Sequence, residues 1–186
     1  MFACEPPHEA PAVTPIQLQQ RRDQEDAWLR ETVREHGWAV ESIYAEGCWG
    51  PPGCPCGLPA GGEPPYAYTV GLFGFGHPEV VVFGLDEQTG SVVLNALGER
   101  VRRGRPLLPG RPLAVEGWHH RVRFFPFHDG GAVPTLASAQ RFYRRSADDP
   151  VPALQCVWDD HQGLFPWEAG YDFPSGLQPP PRVFLG

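Results

Sequence analysis

Apolar and polar positions alternate most clearly in residues 64–85, PPYAYTVGLFGFGHPEVVVFGL. Tyr66, Tyr68, Val70 and Leu72 fall on one face of an extended chain, and Ala67, Thr69 and Gly71 on the other. That period of two, in β-favouring residues, predicts a strand. Residues 80–83 are continuously apolar, as in a strand covered on both faces. Gly74, Gly76 and Pro78 interrupt any regular element between the two runs.

On either side the period lengthens to that of a helix. Thr14-Pro15 reads as an N-cap followed by a first-turn proline. Residues 16–36 are mostly helix formers, with Ala27, Trp28, Leu29 and Val33 on an apolar stripe and Gly37 as the stop. Residues 38–44 predict a strand with Trp38, Val40 and Tyr44 sharing a face. A second helix is predicted over 86–103, burying Val93, Leu94, Leu97 and Val101. Residues 113–117 and 118–125 predict strand segments, with Trp118, His120, Val122 and Phe124 on one side and His119, Arg121 and Arg123 on the other. A short third helix follows over 135–145, with Leu136, Ala139, Phe142 and Tyr143 inward. Residues 153–158 predict a last strand that turns Leu154, Cys156 and Trp158 to the core.

Helices that come singly among closely linked strands argue for an α+β fold. The expected architecture is a single domain over 14–173, with three helices and a mainly antiparallel or mixed sheet of about five to six strands. Residues 1–13 and 174–186 are expected to be Pro-rich tails, and 45–65 a long Cys/Gly/Pro-rich loop.

Composition narrows the chemistry. All 15 basic residues are Arg, which removes Schiff-base lysines, a phosphate-loop lysine and lysine general bases. A net charge of −7 opposes nonspecific binding to nucleic acid or anionic lipid. No apolar run is long enough to span a membrane and no signal-peptide core follows Met1, so a cytoplasmic protein with reduced cysteines is expected. There is no Gly-x-Ser-x-Gly elbow and no phosphate loop, and Pro78 forbids the helix that a dinucleotide fingerprint would need after GFG.

Four residues are candidates for catalysis. His77 and Glu79 flank Pro78, and an imidazole beside a carboxylate serves as a general base or as part of a metal's ligand shell. Tyr68, in the preceding strand, can bring a phenol to the same place. Asp160, in the turn WDDHQG, can ligate a divalent cation or close the turn on its own backbone. His77, Glu79 and Asp160, joined by His119 or His120, would suit zinc or non-haem iron. Cys48, Cys54 and Cys56, with Cys4 or His8, form an alternative zinc set, although their spacing is not that of common zinc ribbons.

YTVGL, GHPE and VVFGL, followed by QCVWDDHQGLFPWEAGY, resemble a bacterial domain-of-unknown-function family, DUF4262, over roughly residues 38–171. The resemblance implies a cytoplasmic bacterial domain and brings no activity with it. The Cys-rich insert departs from the ordinary polar loop expected there. Two readings of function stand beside each other, with enzyme status open. One is a small-ligand or enzymatic pocket at the His77-Pro78-Glu79 turn. The other is a non-catalytic immunity or regulatory module that binds a protein through Phe165, Trp167 and Tyr171, with a zinc-stabilised module as a further alternative.

Overall fold

The computed structural model describes residues 14–44, 47–49, 54, 60–128 and 135–181. The expected N-terminal tail, Cys4, His8, Cys56 and residues 182–186 lie outside them. Three helices and a six-stranded sheet form the α+β fold. In chain order the elements are α1 (Pro15–His36), β1 (Ala39–Ile43), β2 (Tyr66–Val70), a 3-10 turn (Leu72–Phe75) and β3 (Glu79–Phe83). Then follow α2 (Glu87–Arg102), β4 (Leu113–Ala114), β5 (Arg121–Phe127), α3 (Ala137–Tyr143) and β6 (Ala153–Trp158). The sheet order is β1-β2-β3-β6-β5-β4. β3 and β6 run parallel, and every other neighbouring pair is antiparallel.

The two central strands are the most apolar, and every residue of β3 and β6 is buried. Val80, Val82, Leu154, Cys156 and Trp158 face α2 through Val93, Leu94, Leu97 and Val101. Val81, Phe83, Tyr68 and Val70 face α1 and α3 through Leu29, Leu136 and Ala139. Each valine so enclosed contributes about 1.5–3 kcal/mol, so the double-sided strands carry the fold.

Local caps mark the starts of α1 and α2. Thr14 accepts the Gln17 amide at 3.3 Å and Gln17 returns a bond to the Thr14 amide, a reciprocal capping box. Asp86 accepts the Thr89 amide at 2.9 Å.

Several details differ from the sequence pattern. Trp28 is 49% exposed, because α1 lies against β1 and α3 and fully encloses only Leu29. Tyr44 is also exposed, beyond the end of β1. β2 stops at Val70, and the 3-10 turn carries Leu72 to the α2 side. Residues 118–120 are not strand: Gly117 takes φ 79° and the Trp118 amide bonds back to Val115 O. The third helix is shorter than expected. Past Phe173 the chain stays packed, since Gln178 is buried and its amide group bonds both N–H and C=O of Trp158. Those bonds satisfy backbone groups beyond the ladder.

Candidate metal centre

Glu79 opens β3 with its side chain on the α1/α3 face, fully enclosed. Its carboxylate accepts from Thr69 Oγ1 and Tyr143 Oη, each at 2.6 Å, and from the amides of Gly71, Phe73 and Leu72 at 2.9, 3.0 and 3.3 Å. Those three amides open the 3-10 turn, so Glu79 is its anionic cap. Burial raises the pKa of this carboxyl, and the Thr69, Tyr143, Phe73 and Gly71 donors oppose the rise. Gly71, at φ 136°, has no room for a Cβ, which would sit 2.4 Å from Gly37 O.

His77 is used differently. Its Nδ1 lies 2.7 Å from Pro78 O, and its Nε2 accepts the Leu107 amide at 3.0 Å. A ring that meets a carbonyl on one nitrogen and an N–H on the other is the neutral Nδ1–H tautomer. It ties the segment after α2 to the turn. Tyr68 accepts the Ser138 amide at 3.3 Å, and burial pushes its hydroxyl up to about 12.

Asp160 lies at the other end of the sheet. The register Glu79↔Ala153 puts it seven residues beyond Glu79 along the parallel pair, about 23 Å at 3.3 Å per residue. Its carboxylate accepts the amides of Gln162 and Leu164 at 2.8 Å and of Asp172 at 3.1 Å. Burial pushes this carboxyl up, but the Leu164, Asp172 and Gln162 amides outweigh it and hold the pKa below its ordinary value. Tyr68 and Glu79 therefore share a face, His77 joins the turn beside them, and Asp160 does not meet them.

The end of the sheet near Asp160 holds another set. β5 and β6 pair antiparallel with Val122 opposite Trp158. Carrying that register three residues outward sets His119 opposite His161, and their rings stack at 12° with centroids 6.1 Å apart. His120 lies between them at 4.1 Å from His119 and 5.4 Å from His161. One ligand nitrogen from each of the three rings falls within 4.8 Å of the others. Among the described residues this is the one group of three His, Cys, Asp or Glu side chains with such spacing.

The surroundings of the three rings differ. His119 and His161 are exposed and His120 is buried, against Trp118, Trp158 and Phe173. His120 Nδ1 lies 3.4 Å from Asp159 Oδ1. Asp159 also accepts the Arg121 amide at 2.8 Å and pairs with Arg121 Nε at 2.7 Å. Burial, followed by the neighbouring His119, lowers the His120 pKa despite Asp159, which favours the neutral ring. A carboxylate on one imidazole nitrogen leaves the other as the lone-pair donor, a common arrangement behind metal-bound histidines.

The other candidates are placed as follows. Cys48 and Cys54 are half-buried, Cys48 bridges to Ala60, and Cys56 is outside the described residues. Cys156 is buried in the α2 core, and burial raises its thiol pKa. Phe165 is buried and stacks on half-buried Trp167 at 4°. Tyr171 bonds Gln178 Nε2 at 2.7 Å. A cleft of about 560 Å³ between α1 and α2 is lined by Trp38, Asn95, Glu99 and Arg102 among others, but these pair with one another.

The model of a family described as a domain of unknown function, DUF4262, matches residues 32–172 of the 186. The chain belongs to the DUF4262 family. The matched span includes both ends of the sheet, hence His77 and Glu79 as well as the three clustered histidines. Beyond the DUF4262 model, no curated protein and no solved structure matches the chain. No helix among the described residues is long and apolar enough to cross a membrane.

Proposed function

We propose that this DUF4262 domain binds a divalent transition metal, zinc by preference, through His119, His120 and His161, and presents an exchangeable coordination position to a small ligand. The supporting observation is the approach of three imidazole nitrogens to within 4.8 Å, with the buried ring braced by Asp159. Tetrahedral zinc with Zn–N near 2.0–2.1 Å sets its nitrogens about 3.3 Å apart. Rotation of the two exposed rings would close that difference, because no hydrogen bond among the described residues holds either ring.

Three neutral imidazoles with a fourth position open is the donor set of catalytic zinc. Non-haem iron sites use two histidines and a carboxylate, and here Asp159 and Asp160 are already occupied by Arg121 and by backbone amides. The open position takes water, whose pKa such a metal lowers, or the oxygen of a ligand. The site thus moves from the His77 turn to the opposite end of the sheet, where ring nitrogens remain for an ion.

Zinc titration followed by thermal melting tests the reading. At zinc a hundredfold above its Kd, binding adds about 2.7 kcal/mol, which raises the Tm of a domain this size by roughly 5–10 °C. His161→Ala, at an exposed position, should abolish the rise without changing the metal-free Tm. An equal zinc response in wild type and H161A would overturn the proposal.

A further inference from the structure

Beside the histidines, β5 carries two guanidinium groups that are balanced unequally. Arg121 is neutralised by Asp159 and also donates to Gly163 O at 2.6 Å. Arg123, two residues on, has no carboxylate within 4 Å among the described residues, and its buried Nε has no hydrogen-bond partner among them. Its guanidinium instead sits 5.4 Å from the ring of Phe165 and 5.8 Å from that of Trp167. Those rings are parallel and 5.2 Å apart. Phe165 also lies 6.0 Å from the guanidinium of Arg121. Contacts therefore run without a break from His120 through Asp159, Arg121 and Phe165 to Arg123.

A half-buried cation beside two aromatic rings, with no carboxylate partner among the described residues, is suited to receive an anion. The charges indicate which kind. A divalent ion on the three imidazoles gives +2, the Arg121–Asp159 pair gives zero, Arg123 adds +1 and the Asp160 carboxylate of the neighbouring turn subtracts 1, which leaves +2. Such a surplus favours a dianion over a monoanion. Arg121 and Arg123 leave the same face of β5 two residues apart, so the Arg123 guanidinium is the next cation along from the Arg121–Asp159 pair that meets His120.

We infer that the ligand of the metal site is a phosphate dianion or phosphate monoester, with one oxygen on the metal and the others on the Arg123 fork. This rests on the metal reading above. Arg121 acts as a positioning residue that holds Asp159 and Phe165 in place.

The test is calorimetric titration of inorganic phosphate into zinc-loaded and metal-free protein, with acetate as the monoanion. Wild type is compared with Arg123→Gln and Arg123→Lys, and zinc affinity is read separately by competition with a chromophoric chelator. Arg123→Gln should weaken phosphate binding to the zinc-loaded protein by at least about tenfold while zinc affinity is unchanged, because hydrogen bonds to a charged group are lost. Arg123→Lys should fall between, keeping the charge without the fork, and acetate should bind more weakly than phosphate. Equal phosphate binding by wild type and R123Q, or equal binding of acetate and phosphate, would overturn the inference and leave the zinc reading intact. A wild type that takes up no zinc overturns the metal reading, and with it a ligand shared between metal and Arg123, whatever phosphate does.

Discussion

Tyr143, at the end of α3, donates its hydroxyl to Glu79 at the start of β3 across 2.6 Å. This bond joins the short third helix to the cap of the 3-10 turn inside the α1/α3 core. Burial and the adjacent Glu79 charge both raise the Tyr143 pKa, so its proton stays in place to donate. Tyr143→Phe leaves Glu79 with four donors, two on each oxygen, and removes the short charge-assisted bond to Oε1. The expected loss is about 1–3 kcal/mol of unfolding free energy, read by urea denaturation at neutral pH. A change below about 0.5 kcal/mol would mean that Glu79 reaches solvent when the hydroxyl is gone, as a base in an open pocket would.

A half-buried carboxyl, Glu41, gives a pH dependence. Glu41 on β1 and Glu25 on α1 both approach the Ser138 hydroxyl, at 3.4 and 3.0 Å. A single hydroxyl proton serves only one of them. Burial, followed by the charge of Glu25, raises the Glu41 pKa from 4.5 to about 7. The folded state therefore holds a proton that the unfolded state has released across this window. By linkage the contribution is fully present below pH 4.5 and is lost as pH rises to about 7. Glu41→Gln should flatten stability against pH over that range, measured by denaturant midpoints at constant salt. An unchanged slope would place the proton elsewhere.

Gly98 sits in the middle of α2 where intrinsic propensity alone favours alanine by about 1 kcal/mol. The tertiary contact decides otherwise. A Cβ there would lie 2.5 Å from Trp38 Cε2 and 2.8 Å from its Nε1, and that Nε1 donates to Asn95 at 3.0 Å. Overpacking costs about 1–3 kcal/mol, and displacing the indole risks a further 0.5–1.5 or so. Gly98→Ala should therefore lower Tm, and an increase would show that α2 moves away from Trp38 without cost.

These residues also show what the sequence makes legible. The buried strands, the α2 stripe and the limits of β6 follow from apolar periodicity, because each element's burial is set by its own neighbours in sequence. His77 and Glu79 are conspicuous for the same local reason. Their partners are not: Tyr143 lies 64 residues from Glu79 and Leu107 lies 30 from His77, distances that no local pattern spans. The histidine cluster needs still more. His119 and His120 precede one strand and His161 follows another, so they meet only once the β5–β6 register is known. The available signal was a pair of strands each bounded at one end by Trp and His, WHH before β5 and WDDH after β6. Antiparallel pairing brings those ends together.

Asp159 and Asp160 are adjacent, equally buried carboxylates, and their different partners separate a role in metal affinity from one in folding. Asp159 faces His120 and Arg121, whereas Asp160 serves three backbone amides of the following turn. Asp159→Asn keeps an oxygen for the Arg121 amide and His120 but sets an NH₂ group against the Arg121 guanidinium and removes the negative charge behind the imidazole. Loss of a carboxylate behind a metal-bound histidine typically lowers affinity by about 10–100-fold, and zinc binding should weaken to that extent. Its effect on stability should be smaller than that of a fully buried pair, because Arg121 is half-exposed. Asp160→Asn should do the reverse, loosening the turn by setting an NH₂ group against the Asp172 amide while the folded fraction binds zinc as wild type does. Chelator competition at a temperature where both variants are folded gives the two affinities. If they fall equally, Asp159 acts through the fold and not through His120.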